Sequence, residues 1–133
     1  MKFLLAEDDD GSRLALRTLL EEFGEVHEAR DAFEAWQLLR SGMRFDACCS
    51  DVRMPRGGGL ALLERVRSDI VLAQLPFVLI TSAADRETVT AAARHGVCGY
   101  LLKPYAPEAV RATIERVLRV EESRRADTRV VAP

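Results

Sequence analysis

The chain has 133 residues, 48% of them hydrophobic and 30% charged, the size and composition of one globular domain. That balance excludes disordered, collagen-like and coiled-coil classes, and a compact chain of this length has a radius of gyration of roughly 14 Å, enough for one core. Nineteen Lys and Arg against 21 Asp and Glu leave a formal net charge of -2, which gives no general pull toward nucleic acid or an anionic membrane.

Lys2-Phe3-Leu4-Leu5-Ala6 is a short apolar run that stops at Glu7-Asp8-Asp9-Asp10-Gly11, the pattern of a buried strand and then a loop. It is too short for the apolar region of a signal peptide. Ser12 is positioned to cap a helix whose stripe is Leu16, Leu19, Leu20 and Phe23, ended by Gly24. A weak strand follows at 25–29. A second helix carries Ala32, Ala35, Trp36 and Leu39 and ends at Gly42, which assigns Trp36 to the core. Phe45 to Ser50 reads as another buried strand, again ending in a carboxylate, Asp51. After Pro55 and three glycines at 57–59, Leu60, Leu63 and Val66 mark a third helix.

Pro76 to Ile80 is the clearest strand and ends at Thr81-Ser82; Asp85 caps a fourth helix that Gly96 closes. Val97 to Leu102 is the last strand and ends at Lys103-Pro104. Pro107 opens a fifth helix with Val110, Ile114 and Val117 on one face. Strand and helix alternate five times, which predicts an α/β fold: a doubly wound (βα)5 domain with a five-stranded parallel sheet. The domain is expected over 1–122, with 123–133 an aperiodic, flexible tail whose arginines at 124, 125 and 129 are solvated. No apolar run approaches the ~20 residues of a membrane span. The three cysteines, Cys48, Cys49 and Cys98, fit neither a disulfide framework nor a zinc motif, and read as small apolar side chains in a reducing, cytoplasmic setting.

In an open α/β sheet, ligands bind beyond the carboxyl ends of the strands. At those ends stand Glu7-Asp8-Asp9, Asp51, Thr81 and Lys103, each the first polar residue after an apolar run. Carboxylates gathered there repel; at ~4 Å and an effective dielectric near 20, each like pair costs about 4 kcal/mol. A hard divalent cation relieves that cost, and Mg2+ favours carboxylates, water and phosphate. Carboxylates, cation, lysine and hydroxyl together suit phosphoryl transfer, with one carboxylate available as nucleophile.

Four segments, Leu4-Leu-Ala-Glu-Asp-Asp9, Ser50-Asp-Val-Arg-Met-Pro55, Ile80-Thr-Ser-Ala83 and Gly99-Tyr-Leu-Leu-Lys-Pro104, occur in order. Asp8 and Asp51 are 43 residues apart, with 30 more to Thr81 and 22 more to Lys103. In these the chain resembles the receiver domains of two-component response regulators, of the flavodoxin-like fold, over roughly residues 1–122. The resemblance implies that Asp51 is the phosphoacceptor, supplied by a sensor histidine kinase or a histidine phosphotransfer protein. It implies that Asp8 ligates Mg2+ (Mn2+ substituting), with Glu7, Asp51 and the Arg53 backbone carbonyl completing the protein ligands. Lys103 and Thr81 would hold the phosphoryl oxygens, Tyr100 would act as the aromatic switch, and Lys103-Pro104 resembles the family's cis peptide. Arg53 and Ala83 occupy the two positions that tune phosphoryl lifetime. A downstream protein would engage the fourth helix, last strand and fifth helix, and phosphorylation-dependent dimerisation is a further expectation.

One departure stands out: Gly58 replaces the Asp often found before the third helix, removing a cap and loosening the loop. Asp9 is expected to cap or sit in a loop, and neither His27 nor His95 has a catalytic partner at suitable spacing. Away from Lys103, Tyr100 would read as an ordinary strand aromatic. Two rival readings remain at this stage. Asp8-Asp9-Asp10-Gly11-Ser12 superficially matches the nucleophile motif of haloacid-dehalogenase-like phosphatases, with Asp8 attacking and Asp10 as general acid; the acidic pair those enzymes need after the lysine is missing. The chain also reads as the receiver of a longer DNA-binding transcription factor. The favoured expectation is a stand-alone switch, not an enzyme with an external substrate.

Overall fold

The computed structural model describes residues 1–82 and 85–131, with side chains through Arg124. Strands and helices alternate: β1 (Lys2–Ala6), α1 (Asp10–Leu20), β2 (Glu25–Ala29), α2 (Ala32–Leu39), β3 (Ala47–Asp51), α3 (Gly59–Ser68), β4 (Phe77–Thr81), α4 (Arg86–Ala93), β5 (Gly99–Leu102) and α5 (Pro107–Val131). All pairings are parallel, in the order β2-β1-β3-β4-β5. The doubly wound parallel sheet expected from the alternation is present.

Successive strand residues face opposite sides of the sheet, so the apolar runs feed two cores. Phe3 and Leu5 of β1 pack with Leu16 and Leu20 of α1 and with Val110, Ile114 and Val117 of α5. Leu4 and Ala6 point the other way, toward Leu39 of α2, Leu62, Leu63 and Val66 of α3, and Ala92 of α4. Each fully buried Leu or Phe contributes about 1.5–3 kcal/mol relative to exposure. β1 pairs β2 on one side and β3 on the other, so chain order reverses between β1 and β3 and opens a crevice at their carboxyl ends.

Local departures from the sequence reading have physical causes. Helix α1 starts at Asp10, and its cap is Asp9, whose carboxylate accepts from the Ser12 amide at 2.8 Å. Ser12 is thus the capped residue, not the cap. Trp36 is half-buried, with the guanidinium of Arg65 4.4 Å and that of Arg40 5.8 Å from its ring centroid. It edges the core instead of filling it, because its large ring gains cation–π contacts at the α2–α3 surface. Helix α5 continues to Val131, past the expected boundary at 122. That run lacks an apolar stripe but carries three Arg and an Ala and neither Gly nor Pro, so the backbone stays helical where periodicity stops. Arg124 pairs with the buried Glu121 at 2.8 Å, so it is not merely solvated; the side chains of Arg125 and Arg129 lie outside the described ones. Among the described residues no helix is long and apolar enough to cross a membrane.

Candidate functional site

The carboxyl ends of β1, β3 and β4 and the loop after β5 enclose a recess of about 420 Å3 whose walls include Glu7, Asp8, Asp51, Arg53, Thr81 and Lys103. Residues remote in sequence meet there because four parallel strands end on the same edge. Glu7 follows β1, and its amide donates to the Ala29 carbonyl at 3.0 Å, extending the ladder by one bond and leaving the side chain only 2% exposed. Asp51 closes β3 and is 7% exposed, whereas Asp8 projects into solvent. Glu7, Asp8 and Asp51 each bring a carboxylate oxygen within 4.8 Å of the others. Lys103 Nζ donates to Asp51 Oδ2 at 2.6 Å and to Glu7 Oε2 at 3.4 Å. The Arg53 amide donates to Asp51 Oδ1 at 3.1 Å. The Lys103-Pro104 peptide is cis, matching the form that the resemblance implied.

The electrostatics follow from crowding acids in a half-buried place. Burial first, and the adjoining Asp51 carboxylate second, push the Glu7 carboxyl up to about 7. Burial also pushes Asp51 upward, but the hydrogen bond shared with Glu7, the bond from Lys103 and that from the Arg53 amide outweigh it and hold Asp51 below the usual value. Burial alone would lower the Lys103 ammonium; the two acids overcome it and keep lysine firmly protonated. One lysine therefore faces a group of three acids. The donors are all hard oxygens, the set that suits a magnesium-like cation.

Thr81 ends β4, is 4% exposed, and donates its hydroxyl to the Ser82 carbonyl at 3.3 Å. Tyr100 stands against α4, half-buried, with its hydroxyl donating to the Val89 carbonyl at 3.3 Å. Ala83 lies outside the described residues. The Arg53 side chain is directed to Asp85, with Nε 2.6 Å from Oδ1. Asp10, the general acid of the phosphatase alternative, opens α1 with an exposed carboxylate paired to Arg13.

Sequence reasoning missed several supporting residues. Arg13 is 9% exposed on the inner face of α1; it donates to the Glu7 carbonyl at 2.9 Å and meets Asp10 and Glu28. Its signal was legible: at helical spacing from Leu16 and Leu20, a charge on the apolar stripe needs buried partners. Arg56 binds Asp31, the cap of α2, and so ties the β3–α3 loop to a second helix. Gly58 stands at the N-cap of α3 with no side-chain cap, as expected, but the loop there is packed closely and not loosened. A Cβ there would stand 2.1 Å from the Val52 carbonyl oxygen, and one at Gly59 2.5 Å from that of Asp51. Gly58 also permits close backbone packing behind Asp51, so a side chain there must displace the Val52 carbonyl before it can cap.

Residues 3–115 match the response regulator receiver domain family. Over 119 residues the chain is 35% identical to Chemotaxis protein CheY of Pseudomonas aeruginosa, covering 88% of this chain and 95% of that one. Chemotaxis protein CheY1 of Helicobacter pylori is 32% identical over 120 residues, covering 89% and 97%. The solved signal receiver domain of a signal transduction histidine kinase from Syntrophus aciditrophicus superposes with a TM-score of 0.80 at 28% identity, covering 89% of each chain. A CheY-like receiver domain protein from Methanospirillum hungatei shares the fold, with a TM-score of 0.83 at 23% identity over 92% of this chain and 97% of that one. These likenesses do not favour the phosphatase alternative. With the sheet order and the acidic recess, they make the chain a member of the response regulator receiver domain family.

Proposed function

We propose that this chain is a phosphorylation-switched signalling module in which Asp51 accepts a phosphoryl group from the phosphohistidine of a sensor histidine kinase or a histidine phosphotransfer protein. The reading rests on one observation above others: Lys103 Nζ lies 2.6 Å from Asp51 Oδ2 beside two further carboxylates at the strand ends. Asp51 is the acid that the bond shared with Glu7, the lysine and a backbone amide keep ionised against burial and fixed in orientation. Its carboxylate oxygen attacks phosphorus, the N–P bond breaks, and the imidazole departs with the electron pair.

The residues fit Mg2+, with Mn2+ as a substitute: Asp8, Asp51 and the Arg53 backbone carbonyl would hold it, and Glu7 through water. Bound there, the cation neutralises charge on the transferred group. Lys103 turns from Asp51 to the phosphoryl oxygens, and the Thr81 hydroxyl leaves the Ser82 carbonyl to donate to one of them. Tyr100, hydrogen-bonded to α4, follows Thr81 inward and shifts the α4–β5–α5 face toward its partner-binding form. A downstream protein, or a second copy of the chain, engages that face. Residues 1–122 constitute the switch, acting in the cytoplasm without nucleic acid or membrane contact of its own, and Ala83 and Arg53 set how long the phosphoryl group lasts.

The test is labelling with acetyl phosphate and Mg2+. Wild type takes up about one phosphoryl group per chain, chelation of the metal suppresses uptake, and Asp51→Asn removes it. Undiminished labelling of Asp51→Asn, with loss in Asp8→Asn, overturns the reading.

A further inference from the structure

Three helices of this chain begin with an aspartate in the capping position, and one of them does not cap. Asp9 accepts from the Ser12 amide at 2.8 Å on α1, and Asp31 accepts from the Glu34 amide at 2.8 Å on α2. Asp85 holds the same place before α4, but with ψ at 27° in place of the extended backbone of Asp9 and Asp31, and its side chain makes no capping bond. Capping would need its own backbone to turn as well as its carboxylate to be released. Both of its oxygens are engaged elsewhere: Oδ1 by Arg53 Nε at 2.6 Å and Oδ2 by Ser82 Oγ at 3.0 Å. The first-turn amides of α4 therefore lack the carboxylate that the other two helices have.

The pair is uneven. The Arg53 side chain is 71% exposed and that of Asp85 only 7%, so the guanidinium is the partner with freedom to move. Both residues line the recess that contains Asp51, and the Arg53 backbone is already anchored to Asp51 Oδ1 by its amide at 3.1 Å. The guanidinium sits at the end of a long, exposed side chain whose backbone is fixed beside Asp51, so release from Asp85 lets that side chain turn toward Asp51. A phosphoryl group on Asp51 carries up to two negative charges and three acceptor oxygens, against the single Asp85 oxygen that Arg53 now holds.

We infer that Asp85 is a positioning residue: it holds Arg53 away from Asp51 in the unphosphorylated chain, and phosphorylation moves Arg53 onto the phosphoryl oxygens and frees Asp85 to cap α4. The exchange rests on the reading of Asp51 as phosphoacceptor and adds to it a second connection to α4, separate from Thr81 and Tyr100. Capping the first turn offsets the loss of the arginine partner by a buried carboxylate. Arg53 on the phosphoryl group shields it from attacking water, so Asp85 shortens the life of the phosphorylated state by competing for the arginine.

A cycle of variants in the full-length chain tests this, with Asp51 labelled from acetyl phosphate and the decay of the label followed after quenching uptake. Arg53→Ala keeps the backbone carbonyl and accelerates decay; Asp85→Asn slows decay roughly three- to tenfold while Arg53 is present. In the Arg53→Ala background Asp85→Asn has no further effect. Asp85→Glu, which restores a carboxylate partner for the guanidinium, returns decay toward the wild-type rate. The backbone amide resonances of residues 86–88 in Arg53→Ala without phosphate shift in the direction that phosphorylated wild type takes. If Asp85→Asn changes decay equally with and without Arg53, or those amides do not move in Arg53→Ala, the exchange is wrong and Asp51 keeps its role. If Asp51→Asn still takes up label at wild-type level, the underlying reading fails instead.

Discussion

The two edges of the sheet treat buried charge in opposite ways. At the amino ends of β4 and β5, Arg67 is half-buried and gives its donors to four carbonyls: His95 at 2.6 Å, Ala73 at 3.1 Å, Leu75 at 2.7 Å and Gly96 at 2.9 Å. Nearby, at the amino end of β1, Asp46 accepts from the Lys2 amide at 2.7 Å. At the carboxyl ends, Glu7, Asp8 and Asp51 confront one another with Lys103 as counter-charge. The rear arginine is surrounded by partners that cannot ionise and so acts as a clasp between two loops. The front acids are held in mutual repulsion that an incoming cation or phosphoryl group relieves. Burial is common to both edges; what differs is whether folding alone satisfies the charge.

The largest expected contrast comes from deleting one charge at each edge. Asp51→Asn should reduce phosphoryl uptake to background while the chain stays folded, since the substitution keeps the shape of the side chain and removes a repulsive neighbour of Glu7. Arg67→Met should do the reverse. Uptake persists, while stability in urea falls by about 2–4 kcal/mol because buried carbonyls lose their donors. A loss below about 0.5 kcal/mol would mean that water serves those carbonyls as well as Arg67 does, and the contrast between the edges would collapse.

Next in size is an effect confined to the front edge. Gly58→Asp should destabilise the chain by about 2–3 kcal/mol in urea, because a side chain must displace the Val52 carbonyl that lies 2.1 Å from its Cβ position. Phosphoryl uptake should fall with it, since Asp51 directly precedes Val52. A stabilised variant would restore the capping role that the sequence suggested for this position.

Gly58 also marks where the sequence stops being legible. The strands and their terminal polar residues could be read because apolar runs of buried parallel strands end abruptly, so Glu7, Asp51, Thr81 and Lys103 announced themselves. The family motifs then supplied roles for them. Close backbone approach leaves no such trace, since a glycine looks alike in a loose loop and a tight one. The Arg53–Asp85 pair was hidden for another reason: the two are 32 residues apart, and Asp85 carries a perfectly good local explanation as a helix cap. Local signals predicted Asp85's place on the helix correctly and its side-chain partner wrongly. The start of α1 was missed by the same logic, because Asp9 and Ser12 are both good caps and only geometry selects Asp9.

The smallest expected effect is the one that reads the front edge's repulsion directly. Glu7, with its carboxyl raised to about 7 from an ordinary 4.5, binds its proton more tightly folded than unfolded. Between those two values the unfolded chain releases a proton that the folded chain retains, so stability falls as pH rises through the window and levels off above it. Asp51 is shifted downward, and its contribution changes only at more acidic pH, outside that window. Without divalent cation, urea unfolding from pH 5 to 8 should therefore show wild type losing on the order of 1–2 kcal/mol relative to Glu7→Gln, whose amide has nothing to ionise. Magnesium should return most of that difference to wild type at pH 8 and little to Glu7→Gln, since the variant has lost one of the charges that attract the ion. Arg67→Met, at the other edge, should leave the wild-type pH slope unchanged. Parallel stability curves for wild type and Glu7→Gln would mean that Lys103 already neutralises the acids in the folded chain, and the carboxyl edge would then be as self-satisfied as the amino edge.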